Sequence, residues 1–181
     1  MRTGDDTPGY RALRQGRASL DGQVYFVTFV TCRRRRIFLK ASRAEAAVRA
    51  LLDPRLWRRS RLLAWVLMPD HWHGLVELGD GERLDAVIRR AKANSSRSLR
   101  RAEPSLGAVW CEGFQDRALR CEDNLVAAAR YLVLNPFRAG LVRRIADYPW
   151  WGAIWVVGRA SGLTPLPQGQ VAASPTLVGR A

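Results

Sequence analysis

The chain is poor in the residues from which most metal and disulfide frameworks are built. It has three cysteines, Cys32, Cys111 and Cys121, odd in number, far apart and without a C-x-x-C spacing. That argues against a disulfide scaffold or a zinc finger and suits reduced thiols in a cytoplasmic protein. Only two histidines occur among 181 residues, which disfavours a metallohydrolase centre built from many His and carboxylate ligands. No apolar run reaches the ~18–20 residues that span a bilayer. The start, Met1-Arg2-Thr3-Gly4-Asp5-Asp6, lacks the basic-then-apolar order of a secretion signal. Lysine is nearly absent, with Lys40 and Lys92 its sole representatives.

Arginine supplies the rest of the basic charge. Thirty basic residues stand against sixteen acidic ones, a net charge of +14. Coding bias of a GC-rich genome explains arginine in place of lysine, but not an excess of this size. A domain so basic is expected to meet a polyanion, most often nucleic acid. Guanidinium forks match phosphate oxygens bidentately. Nearly half the residues are apolar, enough for one domain with a real core.

Hydrophobic patterning divides the chain into a polar arm over 1–22, a folded domain over 23–152 and a Gly/Ala/Pro-rich tail over 153–181. Val24 to Cys32 is β-branched and aromatic, a central strand, followed at once by Arg33, Arg34, Arg35 and Arg36. Ser42 is expected to cap a helix carrying Ala46, Ala47, Ala50 and Leu51. Leu62 to Met68 and His71 to Leu78 read as strands joined by a Pro69-Asp70 turn. After Gly79-Asp80-Gly81 comes a long basic helix, about Leu84 to Arg101, then a loop at Pro104 to Gly107 and a strand from Phe114 to Arg120. Asp123 starts a last helix through Tyr131 and Leu132, stopped by Asn135-Pro136. The order β-α-β-β-α-β plus one helix predicts an α+β, ferredoxin-like split βαβ fold. The first two helices should cover one face of its antiparallel sheet and leave the other for the last helix or a ligand.

Both histidines fall in Met68-Pro69-Asp70-His71-Trp72-His73-Gly74-Leu75-Val76. At i and i+2 in a strand, His71 and His73 share one face while Trp72 points to the other, into the core. Such a pair offers two neutral nitrogens to one divalent metal, although His-x-His alone is a weak signal. Glu77 leaves the strand on the same face, and Glu112 and Asp116 are further oxygen donors. Tyr131 and Asn135 are spaced i, i+4 and share a helix face. Tyr131 is either a packed ring or an available hydroxyl. Asn135 is either a helix-end residue or an amide oxygen facing the histidines.

Three ordered blocks carry a resemblance. They are Met68–Val76, the run Val109-Trp110-Cys111-Glu112-Gly113-Phe114-Gln115-Asp116-Arg117-Ala118-Leu119-Arg120, and the run from Ala129 through Tyr131, Asn135-Pro136-Phe137-Arg138 to Val142. With Asp147-Tyr148-Pro149-Trp150-Trp151 they resemble the REP-associated tyrosine transposases of the single-tyrosine transposase superfamily, over about Val24 to Trp155. The resemblance implies His71 and His73 as a metal-binding pair, Tyr131 as nucleophile and Asn135 as a further metal ligand one turn on. It implies Mg²⁺ or Mn²⁺, single-stranded or hairpin DNA of the REP palindrome type, and a 5′-phosphotyrosine intermediate. It further implies a monomer, with a homodimer as the alternative, on the nucleoid in the cytoplasm. Arg33 to Arg36, Arg89, Arg90, Arg97, Arg100, Arg101 and Arg138 are expected to track the DNA backbone, and exposed tryptophans to stack unpaired bases. Two departures stand out: Gln115 replaces an aromatic or histidine, and Asn135 has a shorter reach than the glutamine of insertion-sequence cousins. A domesticated protein that grips palindromic DNA without cutting it is the competing reading.

Overall fold

The computed structural model describes residues 21–120 and 123–155. The arm before Asp21, the tail beyond Trp155 and Cys121 lie outside the described residues. The elements are β1 (Val24–Val30), α1 (Ala41–Leu51), β2 (Arg61–Leu67), β3 (His71–Glu77), α2 (Leu84–Ala102), β4 (Gln115–Ala118), α3 (Leu125–Val133), α4 (Asn135–Arg138) and β5 (Trp151–Ala153). All strand pairs are antiparallel, in the order β4-β1-β3-β2-β5. The first four strands and two helices form the expected split βαβ arrangement.

Several expectations are corrected. The centre of the sheet is β3, not β1, which ends at Val30 because Thr31 leaves the ladder to bridge Trp110. Lys40, not Ser42, precedes the first turn of α1, and it makes no side-chain cap. Asn124, not Asp123, caps α3 by accepting the Ala127 N–H at 3.0 Å. The last helix does not end at Asn135-Pro136 but resumes as α4 after a break at Leu134. A fifth strand joins the open edge of β2, and Ala153 belongs to it rather than to the tail. Its glycine permits close approach, since a Cβ on Gly152 would lie 2.7 Å from the indole nitrogen of Trp65.

Alternation along β3 divides the core in two. Trp72 and Val76 face α1 and α2, whose Ala44, Ala47, Leu51, Val87, Ile88, Ala91 and Leu99 are buried against them. Trp72 is fully buried and stacks on Phe29 with ring centroids 4.8 Å apart. Its indole lies over Gly74, where a Cβ would come within 2.0 Å of the ring. Burying a side chain of this size contributes roughly 2–3 kcal/mol. On the other face Leu75 packs with Ala64, Val66 and Met68 beneath Ala129, Leu132 and Val133 of α3. The register of β2 shifts at Leu63, so that Leu63 and Ala64 are both buried in this second cluster.

Candidate active site

The second face carries His71 and His73 beyond the apolar patch. Cross-strand register sets Thr28 of β1 directly opposite His73, and the Thr28 hydroxyl lies 2.7 Å from His73 Nδ1. His71 Nδ1 lies 2.5 Å from the Asp70 carboxylate. A carboxylate accepts only, so His71 Nδ1 is the donor in this contact, which leaves Nε2 as the ring nitrogen available to a ligand. The two imidazole centroids are 4.6 Å apart at 80°. Burial pushes His73 down to about 3, with His71 and Arg34 adding to the effect and Asp70 opposing it. His73 is therefore neutral near pH 7, the state in which imidazole ligates a metal.

Asp70 is itself held by the arginine turn. Arg34 Nη1 stands 3.5 Å from its second carboxylate oxygen. Arg33 and Arg34 have φ of 56° and 51°, a left-handed pair costing about 1–2 kcal/mol each. Thr31 offsets that cost: its N–H donates to the Asp70 carbonyl at 2.8 Å. Its hydroxyl sits 2.7 Å from the Arg35 carbonyl and 3.0 Å from the Asp70 carbonyl. The result is a chain of contacts, Arg34 to Asp70 to His71.

Tyr131 projects from α3 with 55% of its surface exposed, so of its two sequence readings the available hydroxyl holds. Two turns on, Arg138 Nη2 donates to the Tyr131 hydroxyl oxygen at 2.9 Å, and its guanidinium carbon lies 3.9 Å over the ring centroid. The break at Leu134 does not spoil this alignment. Leu134 N–H bonds Arg130 and Arg138 N–H bonds Leu134, both at 3.0 Å, so the helical phase continues. Gly140, at φ +68°, then closes α4 with Gly140 N–H to Phe137 and Leu141 N–H to Pro136, a Schellman cap. Asn135 Nδ2 donates to the Leu132 carbonyl at 2.9 Å, which leaves Oδ1 as the acceptor end of the amide.

A groove of about 470 Å³ opens beside Tyr131, floored by Phe26 and Leu119 and edged by Arg117, Asp123 and Asn124. Phe26 also meets His73, with ring centroids 5.5 Å apart. One aromatic side chain thus borders both the groove at the tyrosine and the histidine pair.

Other sequence candidates fall elsewhere. Asp116 pairs with Val27 and so faces the helix layer, away from the histidines. Glu77 lies at the far end of β3 and is paired with Arg61 at 3.0 Å. Glu112 is exposed in the turn before β4. Among the described residues no group of three or more His, Cys, Asp or Glu gathers as a metal site. Arg35 donates to the Leu106 and Ala108 carbonyls, a strut between loops, while Arg33 and Arg36 are exposed. Arg89, Arg90, Arg97, Arg100 and Arg101 are exposed on α2, which covers the face opposite the histidines, and Arg90 is paired with Glu82 at 2.6 Å. Trp72 and Trp65 are core residues, whereas Trp155 is exposed. Sequence reading missed Thr28, Asp70, Phe26 and Arg117. For Thr28 and Phe26 the signal was present as β1 alternation, but it needs the β1–β3 register.

Comparisons with known proteins bear on the fold and the family. The chain is 24% identical over 132 residues to the REP-associated tyrosine transposase of Escherichia coli (strain K12), covering 72% of this chain and 76% of that protein. Its fold matches a solved REP-associated tyrosine transposase bound to a REP hairpin. The TM-score is 0.61 at 22% identity, over 87% of this chain and 97% of the other. Among the described residues no helix is long and apolar enough to cross a membrane. The family model for IS200-like transposases matches residues 20–123, more than half of the 181, and the chain belongs to that family.

Proposed function

We propose that this protein cuts and rejoins single-stranded DNA at palindromic, REP-like hairpins, with Tyr131 as nucleophile. The observation that carries the reading is an exposed tyrosine hydroxyl, held by a guanidinium, on the helix that covers the histidine face of the sheet. Tyr131 Oη attacks the scissile phosphorus and forms a 5′-phosphotyrosine, releasing a 3′-hydroxyl. Bond energy stays in the covalent link, so attack by a 3′-hydroxyl reverses the step without a nucleotide cofactor. The groove beside Tyr131 suits an unpaired nucleotide: Phe26 offers a ring for stacking and Arg117 a charge for the backbone.

The residues fit a divalent cation. Both histidines have Nδ1 engaged, by Thr28 and by Asp70, which is how outer contacts orient imidazole ligands. His71 and His73, with Asn135 Oδ1, would hold Mg²⁺ or Mn²⁺, and two imidazoles among oxygen donors favour Mn²⁺. When bound, such a cation supplies polarisation of a non-bridging phosphate oxygen. Asp70 and Thr28 keep the ligand nitrogens aimed, and Arg34 holds Asp70 in place.

The test is incubation of an end-labelled hairpin with single-stranded flanks and Mn²⁺, comparing wild type with Tyr131→Phe. A protein–DNA adduct in wild type that is absent from the variant is expected. Tight hairpin binding with no adduct in wild type would leave a binding protein and sink the strand-transfer reading.

A further inference from the structure

We infer that Arg138 is a catalytic partner of Tyr131 rather than a contact to the DNA backbone. Its guanidinium stabilises the charge on Tyr131 Oη as that oxygen attacks phosphorus, and again as it leaves when the strand is rejoined. The inference rests on the strand-transfer reading above.

Arg138 touches the reacting atom itself, through Nη2 at 2.9 Å, and covers the same ring at 3.9 Å. A guanidinium keeps its proton throughout the pH range of the reaction and only donates. The hydroxyl proton of Tyr131 cannot pass to it and must point elsewhere, with an oxygen lone pair committed to Arg138. Among the described residues no carboxylate or imidazole hydrogen-bonds that hydroxyl. A general base in contact is thus missing from the described residues, and a fixed positive charge stands in its place.

The proton account closes without a protein base. In the forward step the phenol proton goes to water, the Oη–P bond forms and the P–O3′ bond breaks. The departing 3′ oxygen then takes a proton from water. In the reverse step the 3′-hydroxyl gives its proton to water, its oxygen bonds phosphorus and the Oη–P bond breaks. Oη leaves as a phenolate beside the unchanged guanidinium and then takes a proton from water. The same contact therefore serves a nucleophile in one direction and a leaving group in the other. The fold invests in this placement: α4 keeps the phase of α3 across Leu134, and the Schellman cap at Gly140 fixes Arg138 on the Tyr131 side.

The experiment compares wild type, Arg138→Ala, Arg138→Lys and Tyr131→Phe, all checked for an unchanged melting temperature. Adduct formation and rejoining of the isolated adduct are timed, and hairpin affinity is measured across salt concentrations. Arg138→Ala should slow both directions by a similar factor, ~10²–10³-fold, the usual effect of removing one preorganised donor. Affinity and its salt slope should hold. Arg138→Lys should recover part of the rate, and millimolar guanidinium should rescue Arg138→Ala but not Tyr131→Phe. A salt slope reduced by about 0.7–0.9, the value of one lost phosphate contact, with no guanidinium rescue would overturn the inference. Wild-type rates in Arg138→Ala would do the same while leaving the strand-transfer reading intact. No adduct from wild type itself would remove both.

Discussion

The two faces of one strand do opposite work. On the Trp72 side β3 meets α1 and α2, and Trp72, Val76, Val87, Ile88 and Ala91 have no measurable exposure. On the histidine side α3 packs chiefly over β2 and β5, leaving Phe26, Thr28, His71 and His73 half-buried toward β1 and β4. A period-two pattern in seven residues thus supplies a dry wall on one side and donors on the other. The first face anchors β3 in the core, and the second carries the polar side chains.

The sharpest way to break this comparison is to disturb one face and ask whether the other notices. His71→Ala should lower adduct formation by roughly 10³-fold or more, about 4 kcal/mol of transition-state stabilisation. The melting temperature and hairpin affinity should stay close to wild type. A large loss of stability would mean that the histidine face is structural as well.

Gly74→Ala adds one methyl group to the opposite face, where the Trp72 ring is in the way at 2.0 Å. Overpacking of this kind costs about 1–3 kcal/mol, visible as a lower urea midpoint. Adduct formation per folded molecule should be nearly unchanged. A cutting defect greater than the folding defect would show that the two faces are coupled through β3.

Thr28→Val is the gentler change on the histidine side. It keeps the shape and removes the hydroxyl that meets His73 Nδ1. Mn²⁺ affinity, measured by calorimetry, should fall by about 10-fold, the lower end of outer-contact effects on metal ligands. An unchanged affinity would free Thr28 of that role.

The ease of reading these features in the sequence follows the range of the interaction that sets them. Alternation is local, so the opposed faces of Trp72 and His71/His73 were legible. The helical i, i+4 spacing also brought out Tyr131 and Asn135. Register is not local. Thr28 becomes a partner of His73 only once β1 pairs with β3, and Asp116 turns away from the histidines only once Val27 opposes it. β5 was invisible because Trp151-Gly152-Ala153 has no pattern of its own and forms a strand against the edge of β2. Charge was the least informative at residue level. The arginine excess predicts a polyanion, yet nothing in it signals that Arg35 braces carbonyls, that α2 presents its arginines on the far face, or that Arg138 reaches the tyrosine.

The smallest effect belongs to the helix-covered face. Glu103, at the end of α2, receives Arg43 of α1 through two hydrogen bonds, 2.9 Å from Nε and 2.6 Å from Nη2. The Arg43 hydrogen bonds, with help from Lys40 and against a burial contribution, hold its carboxyl at about 2 rather than the usual 4.5. A folded-state value below the unfolded one stabilises the fold at pH above the unfolded value and is lost as pH falls. Glu103→Gln should therefore melt slightly below wild type at pH 7. The gap should narrow as pH drops below about 4.5 and close near pH 2. Because both side chains are only partly buried, added salt should shrink the gap at pH 7 as well, while adduct formation, proposed for the other face, should stay the same. A gap that persists at pH 2 would assign the effect to the helix end itself rather than to the charge on Glu103.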